Sequence, residues 1–205
     1  MRHSVELSYP FTGRWLAQNS PGDRVPSHGT TRFGTAYAID FVPVDAGGRT
    51  APLTVGSLLR SEAPERFPGF GRTILSPIDG IVVAAAGDEP DHPAHRGLPS
   101  VGYARTQKRR IAEGWVALAG NHVLIESAGT MIAVCHLQQH SLLVRPGQVV
   151  HAGAPVGRCG NSGNSTEPHV HVQAIDNRDP AQAEAVPITF NGELPRNGEI
   201  IEVPG

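Results

Sequence analysis

Apolar and polar residues alternate with a period of two through much of the second half of the chain. This alternation is the pattern of half-buried strands, not of helices. Segments 121–127 and 130–137 are two such runs separated by Ala128-Gly129, which predicts a β-hairpin. In the second run, alternation places Ile132, Val134 and His136 on one face and turns Cys135 away from the His136 side.

A third alternating run, HVHVQAI at 169–175, carries two histidines on one face. His169, His171 and Gln173 share that face, whereas the valines between them predict a core on the other side. Metal ligation combined with acid/base chemistry is the role that fits two adjacent histidines on a sheet best. The preceding loop, 160–168, is rich in Asn, Ser and Thr, and we expect side chain–backbone hydrogen bonds to fix it. Asn164 and Ser165 are candidates for lining a substrate.

Asp40 lies in a further predicted strand, TAYAIDFVP at 35–43. Alternation places Asp40 with Ala38, on the face opposite Tyr37, Ile39 and Phe41. An acid between small residues on a strand marks a polar face. Asp40 is therefore either a functional residue or a solvated strand acid.

The remaining segments predict a single domain, 1–205, with an irregular N-terminal segment at 1–27. Residues 1–34 favour loop with one short strand at most, and 81–86 favour a strand after a turn at 76–80. Residues 88–118 predict an insertion with a weak helix over about 103–113 that ends before Gly114. Residues 176–205 predict a tail that wraps the sheet with one or two short strands.

Composition supports a β-rich fold and excludes some partners. The chain of 205 residues is 39% hydrophobic and contains 24 glycines and 18 prolines, which favours many turns over a helical bundle. The net charge of -2 gives no basis for a nucleic-acid or anionic-membrane partner. The basic cluster at 105–110 (Arg105, Lys108, Arg109, Arg110) is expected to be a solvated face, with contact to an anionic polymer as the alternative.

Export and disulfide signals are sparse. No run approaches the ~20 apolar residues of a membrane span. The N-terminus lacks the apolar region of a signal peptide, so either the usual export route is not used or a leader precedes this sequence. Cys135 and Cys159 have no metal-binding spacing, and we expect two buried free thiols, with one disulfide as the alternative.

Catalytic zinc sites typically use three protein ligands and leave the fourth position to water. Peptide hydrolysis also needs groups that take and return protons. Consecutive segments of this chain that contain such residues resemble the lysostaphin-like family of bacterial zinc endopeptidases, which cut peptidoglycan cross-bridges and stem peptides. The segments that carry the resemblance are Ser27-His28 to Asp40, SPIDGIVVA, GNHVLI, VCHL, VRPGQVVHAGAPVG and GNSGNSTEPHVHV.

The resemblance implies roles for five residues. His28, Asp40 and His171 would bind one Zn²⁺ per chain, and His136 and His169 would be the catalytic histidines. It also implies an all-β fold, an antiparallel β-sandwich of the duplicated-hybrid-motif type with the site in a groove. The implied substrate is a peptidoglycan peptide or another peptide. The implied location is the cell envelope or the exterior, while the missing signal peptide leaves the cytoplasm open.

The chain departs from the family pattern at two points. Eleven residues separate His28 from Asp40, where the family often has a compact HxxxD, and Val134 stands where tyrosine is common. Two other functions stay open. The segments SPIDGIV and VRPGQVVHAGAPVG also resemble sugar-phosphotransferase IIA phosphocarriers, which would use two facing histidines without Asp40. A member of the peptidase family that binds the wall without cleaving it is the other alternative.

Overall fold

Thirteen strands form the framework of the computed structural model, which describes residues 4–51, 60–95, 99–100 and 107–205. The strands are β1 (Val5–Leu7), β2 (Gly13–Gln18), β3 (Ile39–Pro43), β4 (Thr73–Leu75), β5 (Gly80–Ala86), β6 (Asn121–Ser127), β7 (Thr130–Leu137), β8 (Val149–Val150), β9 (Pro155–Arg158), β10 (Val170–Ile175), β11 (Ala185–Val186), β12 (Ile188–Phe190) and β13 (Ile200–Val203). Nine of them make one antiparallel sheet in the order β13-β2-β3-β10-β7-β6-β5-β8, with β11 paired to β10.

Two small sheets pack on one face of this large sheet. One joins β1 and β12 in parallel, and the other joins β4 and β9 antiparallel. The main hydrophobic core combines residues of the large sheet, such as Phe41 and Ile132, with Leu7, Ile74 and Phe190 of the small ones. The expected all-β fold with antiparallel sheets is confirmed, and the packing of sheet on sheet gives it a layered core.

The β6–β7 hairpin forms as the alternation predicts. Ala128 and Gly129, the two turn residues, have φ angles of 48° and 82°. Positive φ at both central residues is the requirement of the two-residue turn that matches the twist of paired strands. The alternating run predicted at 169–175 also forms a strand, which begins at Val170, and β10 lies at the centre of the large sheet between β3 and β7.

The N-terminal part is more regular than predicted. Residues 4–34 contain two strands instead of at most one, and β2 lies inside the large sheet, between β13 and β3. The short pattern of β2 gives little local signal, because its stability comes from pairing with distant segments. Conversely, the predicted strand 35–43 starts later, since Arg32–Tyr37 forms a 3-10 helix and the paired strand covers only Ile39–Pro43.

The insertion and the tail also differ from expectation. Helix α1 (Gln107–Glu113) ends before Gly114 as predicted, and residues 103–106 lie outside the described residues. A second short helix, α2 (Trp115–Ala119), follows it and was not predicted. A further 3-10 helix covers Pro64–Arg66. The tail contributes three short strands, one more than expected, and β13 forms an edge of the large sheet.

Both cysteines are free thiols and fully buried, as expected. Burial raises the pKa of the Cys135 and Cys159 thiols far above the ordinary range, so both remain protonated. No helix in the described part of the chain combines the length and the apolar character needed to cross a bilayer.

Candidate metal centre

Strand register brings Asp40 and His171 together at the centre of the large sheet. His171 of β10 lies opposite Asp40 of β3 in the antiparallel ladder. Both side chains turn to the face opposite the main core, and His171 Nδ1 lies 2.9 Å from Asp40 Oδ1. The alternation of β3 and β10 therefore predicts correctly that each of these side chains lies on the polar face of its strand.

His28 reaches the same point from a loop. The Ser27 backbone N–H donates to the carbonyl of Ala36 at 3.0 Å, and the Ser27 hydroxyl lies 3.0 Å from His28 Nδ1. These contacts leave His28 Nε2 pointing at Asp40, 3.1 Å from Oδ2. Despite the long spacing in sequence, the 27–36 loop folds back so that His28 joins the pair.

Asp40 is a buried carboxylate held by a ring of donors. Burial alone would raise its pKa, but the His28 and His169 charges and hydrogen bonds from His171 and His28 lower the pKa of Asp40 well below its usual range. The Asn19 amide also donates to Asp40 Oδ2 at 2.7 Å. Asp40 is therefore ionised at neutral pH, as a metal ligand must be.

The three side chains have the chemistry of a metal site. Taking one ligand atom from each, the atoms of His28, Asp40 and His171 lie within 4.8 Å of one another. Ligand atoms of a tetrahedral zinc with bonds of ~2.0–2.2 Å are about 3.3 Å apart. His28 Nε2 lies 3.1 Å from one oxygen of Asp40, and His171 Nδ1 lies 2.9 Å from the other. The group is the one His/Cys/Asp/Glu cluster of this kind found in residues 4–51, 60–95, 99–100 and 107–205.

Hydrogen bonding around His171 independently favours a cation here. Gln173 donates its amide N–H to the carbonyl of Phe33 at 2.9 Å, so its Oε1 faces His171 Nε2, also at 2.9 Å, as an acceptor. A neutral imidazole has one N–H, and Gln173 takes it. His171 Nδ1 donates to Asp40 only when the ring carries a second proton, and otherwise it turns a lone pair toward the carboxylate. A cation between these two electron-rich atoms, or a second proton on the ring, stabilises the arrangement.

A β-bulge aims His136 into the same site. In the β6–β7 ladder Val123 pairs with Val134, and Asn121 pairs with Leu137. One residue of β6, His122, therefore lies opposite two residues of β7, Cys135 and His136. His136 has a φ of 63°, in the left-handed region. A bulge of this kind re-aims side chains and interrupts the alternation of the strand.

The bulge makes one prediction wrong. Ile132 and Val134 belong to the main core, whereas His136 faces the opposite side, where Cys135 also lies. His136 therefore does not share the face of Ile132 and Val134, and Cys135 does not point away from His136. The segment TMIAVCHL contains no glycine or other residue that signals a bulge.

The two remaining histidines are tethered through the same ring atom. His136 Nδ1 donates to the carbonyl of Ser162 at 2.9 Å, and His169 Nδ1 donates to the carbonyl of Glu167 at 2.8 Å. Because a carbonyl only accepts, each neutral ring carries its proton on Nδ1 and presents Nε2 as a base. The ring centroids lie 4.6 Å apart, and His169 Nε2 lies 3.7 Å from Asp40 Oδ1.

His136 is neutral at neutral pH. Burial and the nearby rings of His169 and His171 lower the pKa of His136 well below its ordinary value, and these effects outweigh the opposing effect of Asp40. His136 can therefore accept a proton, as a general base must.

These five residues open into one cleft of about 330 Å³. Its walls differ in character. One is apolar and comes from α1 and α2 through Ile111, Trp115 and Leu118. The other comes from the loop around His28 and carries Arg24 and Arg32. The predicted 88–118 insertion therefore supplies one side of the cleft.

The basic cluster of the insertion is not uniformly solvated. Arg110 is buried, and its Nε donates to Asn164 Oδ1 at 2.8 Å, which corrects the expectation of a solvated face at this residue. Arg109 is exposed and pairs with Glu113 at 3.4 Å, as expected of a solvated face. Arg105 and the side chain of Lys108 lie outside the described residues.

The loop 160–168 is fixed largely as predicted. The Ser165 hydroxyl contacts Asn161 Oδ1 at 2.7 Å and His169 Nδ1 at 3.0 Å, and the Ser162 hydroxyl donates to the carbonyl of Leu137 at 2.9 Å. Asn164 lines the cleft, as proposed from the sequence, whereas Ser165 is buried behind it.

All five predicted site residues thus come together. Three contributors to the site were not predicted as such: Asn19, Trp115 and Gln173. Gln173 had a signal, since it follows the two histidines on the same face of β10. Asn19 and Trp115 had none, because they approach from loops and a short helix far away in sequence.

The profile of peptidase family M23 matches residues 101–183. The peptidoglycan DD-endopeptidase ShyA of Vibrio cholerae serotype O1 (strain ATCC 39315 / El Tor Inaba N16961) is 35% identical over 221 aligned positions, which cover 95% of this chain and 44% of that protein. The chain therefore carries a domain of peptidase family M23, and it spans less than half the length of this relative.

Similarity to solved structures is more distant. The catalytic domain of the antimicrobial peptidase lysostaphin from Staphylococcus simulans is 15% identical, with a TM-score of 0.41 over 90% of this chain and 95% of that one. The deep-sea M23 metalloprotease pseudoalterin is 13% identical, with a TM-score of 0.44 over 89% of this chain and 75% of that one.

Proposed function

We propose that this protein is a zinc-dependent endopeptidase that hydrolyses amide bonds in peptidoglycan cross-bridges or stem peptides, at the cell envelope. The convergence of His28, Asp40 and His171 beside two further histidines carries the proposal. The M23 domain and the peptidoglycan endopeptidase relative support the reaction and the substrate class.

His28, Asp40 and His171 would hold the zinc ion. Bound zinc lowers the pKa of a coordinated water to about 7 and polarises the carbonyl that is attacked. Asp40 is ionised at neutral pH and contributes a negative charge, and each of the two imidazoles would contribute one ring nitrogen. Two histidines and one carboxylate would leave one coordination position for water, as in other catalytic zinc sites.

His136 and His169 would handle the protons. Amide hydrolysis requires one proton to leave the attacking water and one to reach the departing amine. Both rings are tethered at Nδ1, so each can accept or return a proton only at Nε2. His136 is neutral and suits the role of base, and His169 lies beside the Asp40 carboxylate.

Among the alternatives, the phosphocarrier is disfavoured by the position of Asp40. A phosphocarrier needs two facing histidines, with one nitrogen free for phosphate, and a buried carboxylate among them would repel the phosphoryl group. Here Asp40 lies against His28 and His171 and close to His169.

Digestion of purified peptidoglycan tests the proposed function. Metal-free protein, protein restored with zinc and zinc-loaded His169→Ala are each incubated with sacculi, and the released fragments are identified by mass spectrometry. We expect hydrolysed cross-links or stem peptides only with the zinc-loaded wild type, and a loss of about 10²–10⁴-fold in His169→Ala. Intact peptides after incubation with the zinc-loaded wild type would contradict the proposal and favour the non-cleaving alternative.

A further inference from the structure

Gln173 is a buried polar side chain at the centre of the sheet. It is 1% exposed and follows His169 and His171 on the cleft face of β10. A buried amide is costly unless its donors and acceptor are paired. The pairing of Gln173 therefore indicates what the side chain does.

The amide of Gln173 has one orientation that satisfies both neighbours. Its nitrogen lies 2.9 Å from the carbonyl of Phe33, which can only accept, so the NH₂ group points there. Its Oε1 consequently points at His171 Nε2, 2.9 Å away, and accepts the N–H of that ring. The reversed amide would set oxygen against the Phe33 carbonyl.

The Phe33 carbonyl is itself held in place. Phe33 and Gly34 have φ angles of 56° and 70°. A Cβ on Gly34 would lie 2.3 Å from Ile175 Cγ2, so this segment packs directly against β10. The Phe33 carbonyl and the Gln173 amide therefore connect a tightly packed backbone turn to His171.

We propose that Gln173 is a positioning residue that keeps the proton of His171 on Nε2 and reserves Nδ1 for the metal. The inference rests on the proposed zinc site. His171 Nδ1 is the ring atom that faces Asp40, at 2.9 Å. Partners of this kind fix the tautomer and the orientation of histidine ligands, and their loss typically weakens metal binding 10–100-fold.

Two substitutions separate positioning from packing. Gln173→Met keeps a side chain of similar length but removes the acceptor. Gln173→Glu, whose carboxyl group burial keeps protonated, can donate its O–H to the Phe33 carbonyl and keeps an acceptor oxygen for His171. Gln139→Met is the matched control, because the Gln139 amide also donates to a backbone carbonyl, that of Asp88 at 2.9 Å, away from the metal site. The zinc dissociation constant of each protein is measured by competition with a chromophoric chelator, and the melting temperature of each metal-free protein is recorded.

We expect Gln173→Met to bind zinc about 10–100-fold more weakly than the wild type, and Gln173→Glu to stay within about threefold. Gln139→Met should match the wild type. Unchanged affinity in Gln173→Met would overturn the proposal, and so would an equal loss in Gln173→Glu, since the acceptor oxygen would then be irrelevant.

A measurement on the wild type keeps the test valid if Gln173→Met does not fold. Nitrogen-15 NMR of the zinc-loaded wild type reports which ring nitrogen of His171 carries the proton. We expect Nε2–H, and a proton on Nδ1 would overturn the proposal. A wild type that binds zinc but cleaves no peptidoglycan would refute the proposed function alone, because the affinities and the tautomer still decide the role of Gln173.

Discussion

Cys135 and His136 are neighbours on one strand, yet both line the same cleft. The left-handed backbone of His136, with a φ of 63°, cancels the alternation that would set them on opposite faces. Without this bulge the His136 ring would point into the main hydrophobic core. The position of a proposed catalytic base therefore depends on a local backbone conformation.

Substitutions at His136 separate its backbone role from its chemical role. Asparagine tolerates a positive φ, whereas a β-branched residue does not. We expect His136→Asn to fold but to lose about 10²–10⁴-fold in peptide hydrolysis. We expect His136→Val to be about 1–2 kcal/mol less stable than His136→Asn because of the left-handed backbone. Denaturant unfolding and cleavage assays measure both, and equal stability of the two variants would contradict the argument.

Gly120 is a position where a methyl group cannot fit. A Cβ there would lie 2.6 Å from atoms of Ser162 and Gly163, and the φ of Gly120 is 60°. We expect Gly120→Ala to lower the free energy of unfolding by about 3 kcal/mol or more, because of crowding and backbone strain. It should also lower cleavage, because the Ser162 carbonyl holds His136.

Gly129 is the matched control for Gly120. Its φ is 82°, but nothing lies within 4 Å of a Cβ there. Gly129→Ala should therefore lower the free energy of unfolding by about 1–2 kcal/mol, through the strain of the left-handed backbone alone, and leave cleavage intact. Melting temperatures should fall by about 2–4 °C per kcal/mol in a protein of this size. Equal shifts in the two variants would refute the steric argument.

Arg110 should matter more than its neighbour Arg109. Arg110 is buried and donates to Asn164, which lines the cleft, whereas the Arg109–Glu113 pair is exposed. A hydrogen bond from a charged group contributes about 1.5–3 kcal/mol, and an exposed ion pair about 0–1 kcal/mol. We expect Arg110→Ala to lower the unfolding free energy by about 2 kcal/mol and Arg109→Ala by less than about 1 kcal/mol. Denaturant unfolding measures both losses. A larger loss in Arg109→Ala than in Arg110→Ala would contradict the role given to the Arg110–Asn164 hydrogen bond.

Cys135 and Cys159 should resist alkylation in the native protein. Both are buried, and burial raises the pKa of each thiol, so the reactive thiolate is scarce at pH 8. Iodoacetamide labelling followed by mass spectrometry should give unlabelled protein under native conditions and two labels after unfolding. Rapid native labelling of Cys135 would show that the cleft opens more than this structure indicates.

The sequence predicts much of this site because alternation operates on β3 and β10. Period two places Asp40, His169, His171 and Gln173 on the polar side of the sheet, and the antiparallel register then joins Asp40 to His171. The particular ligand roles come from the resemblance to the lysostaphin-like family, since His28 lies in a loop that has no periodicity.

Other features of the site depend on contacts between distant segments, and these contacts leave no local pattern in the sequence. The bulge at His136 arises in a run of ordinary strand residues. Helix α2 is five residues long, too short for a clear helical period, yet its Trp115 forms part of the cleft wall and packs on His122 at 4.5 Å between ring centroids. Arg110 is buried where α1 contacts Asn164, and the sequence of α1 alone does not reveal this contact.

Zinc content per chain tests the central claim most directly. Wild-type protein, His171→Ala, Asp40→Ala and the surface control His140→Ala are saturated with zinc, dialysed and analysed for metal. We expect about one zinc per chain in the wild type and in His140→Ala, and almost none in the other two variants. A wild type without zinc, or His171→Ala and Asp40→Ala variants that retain it, would contradict the metal centre.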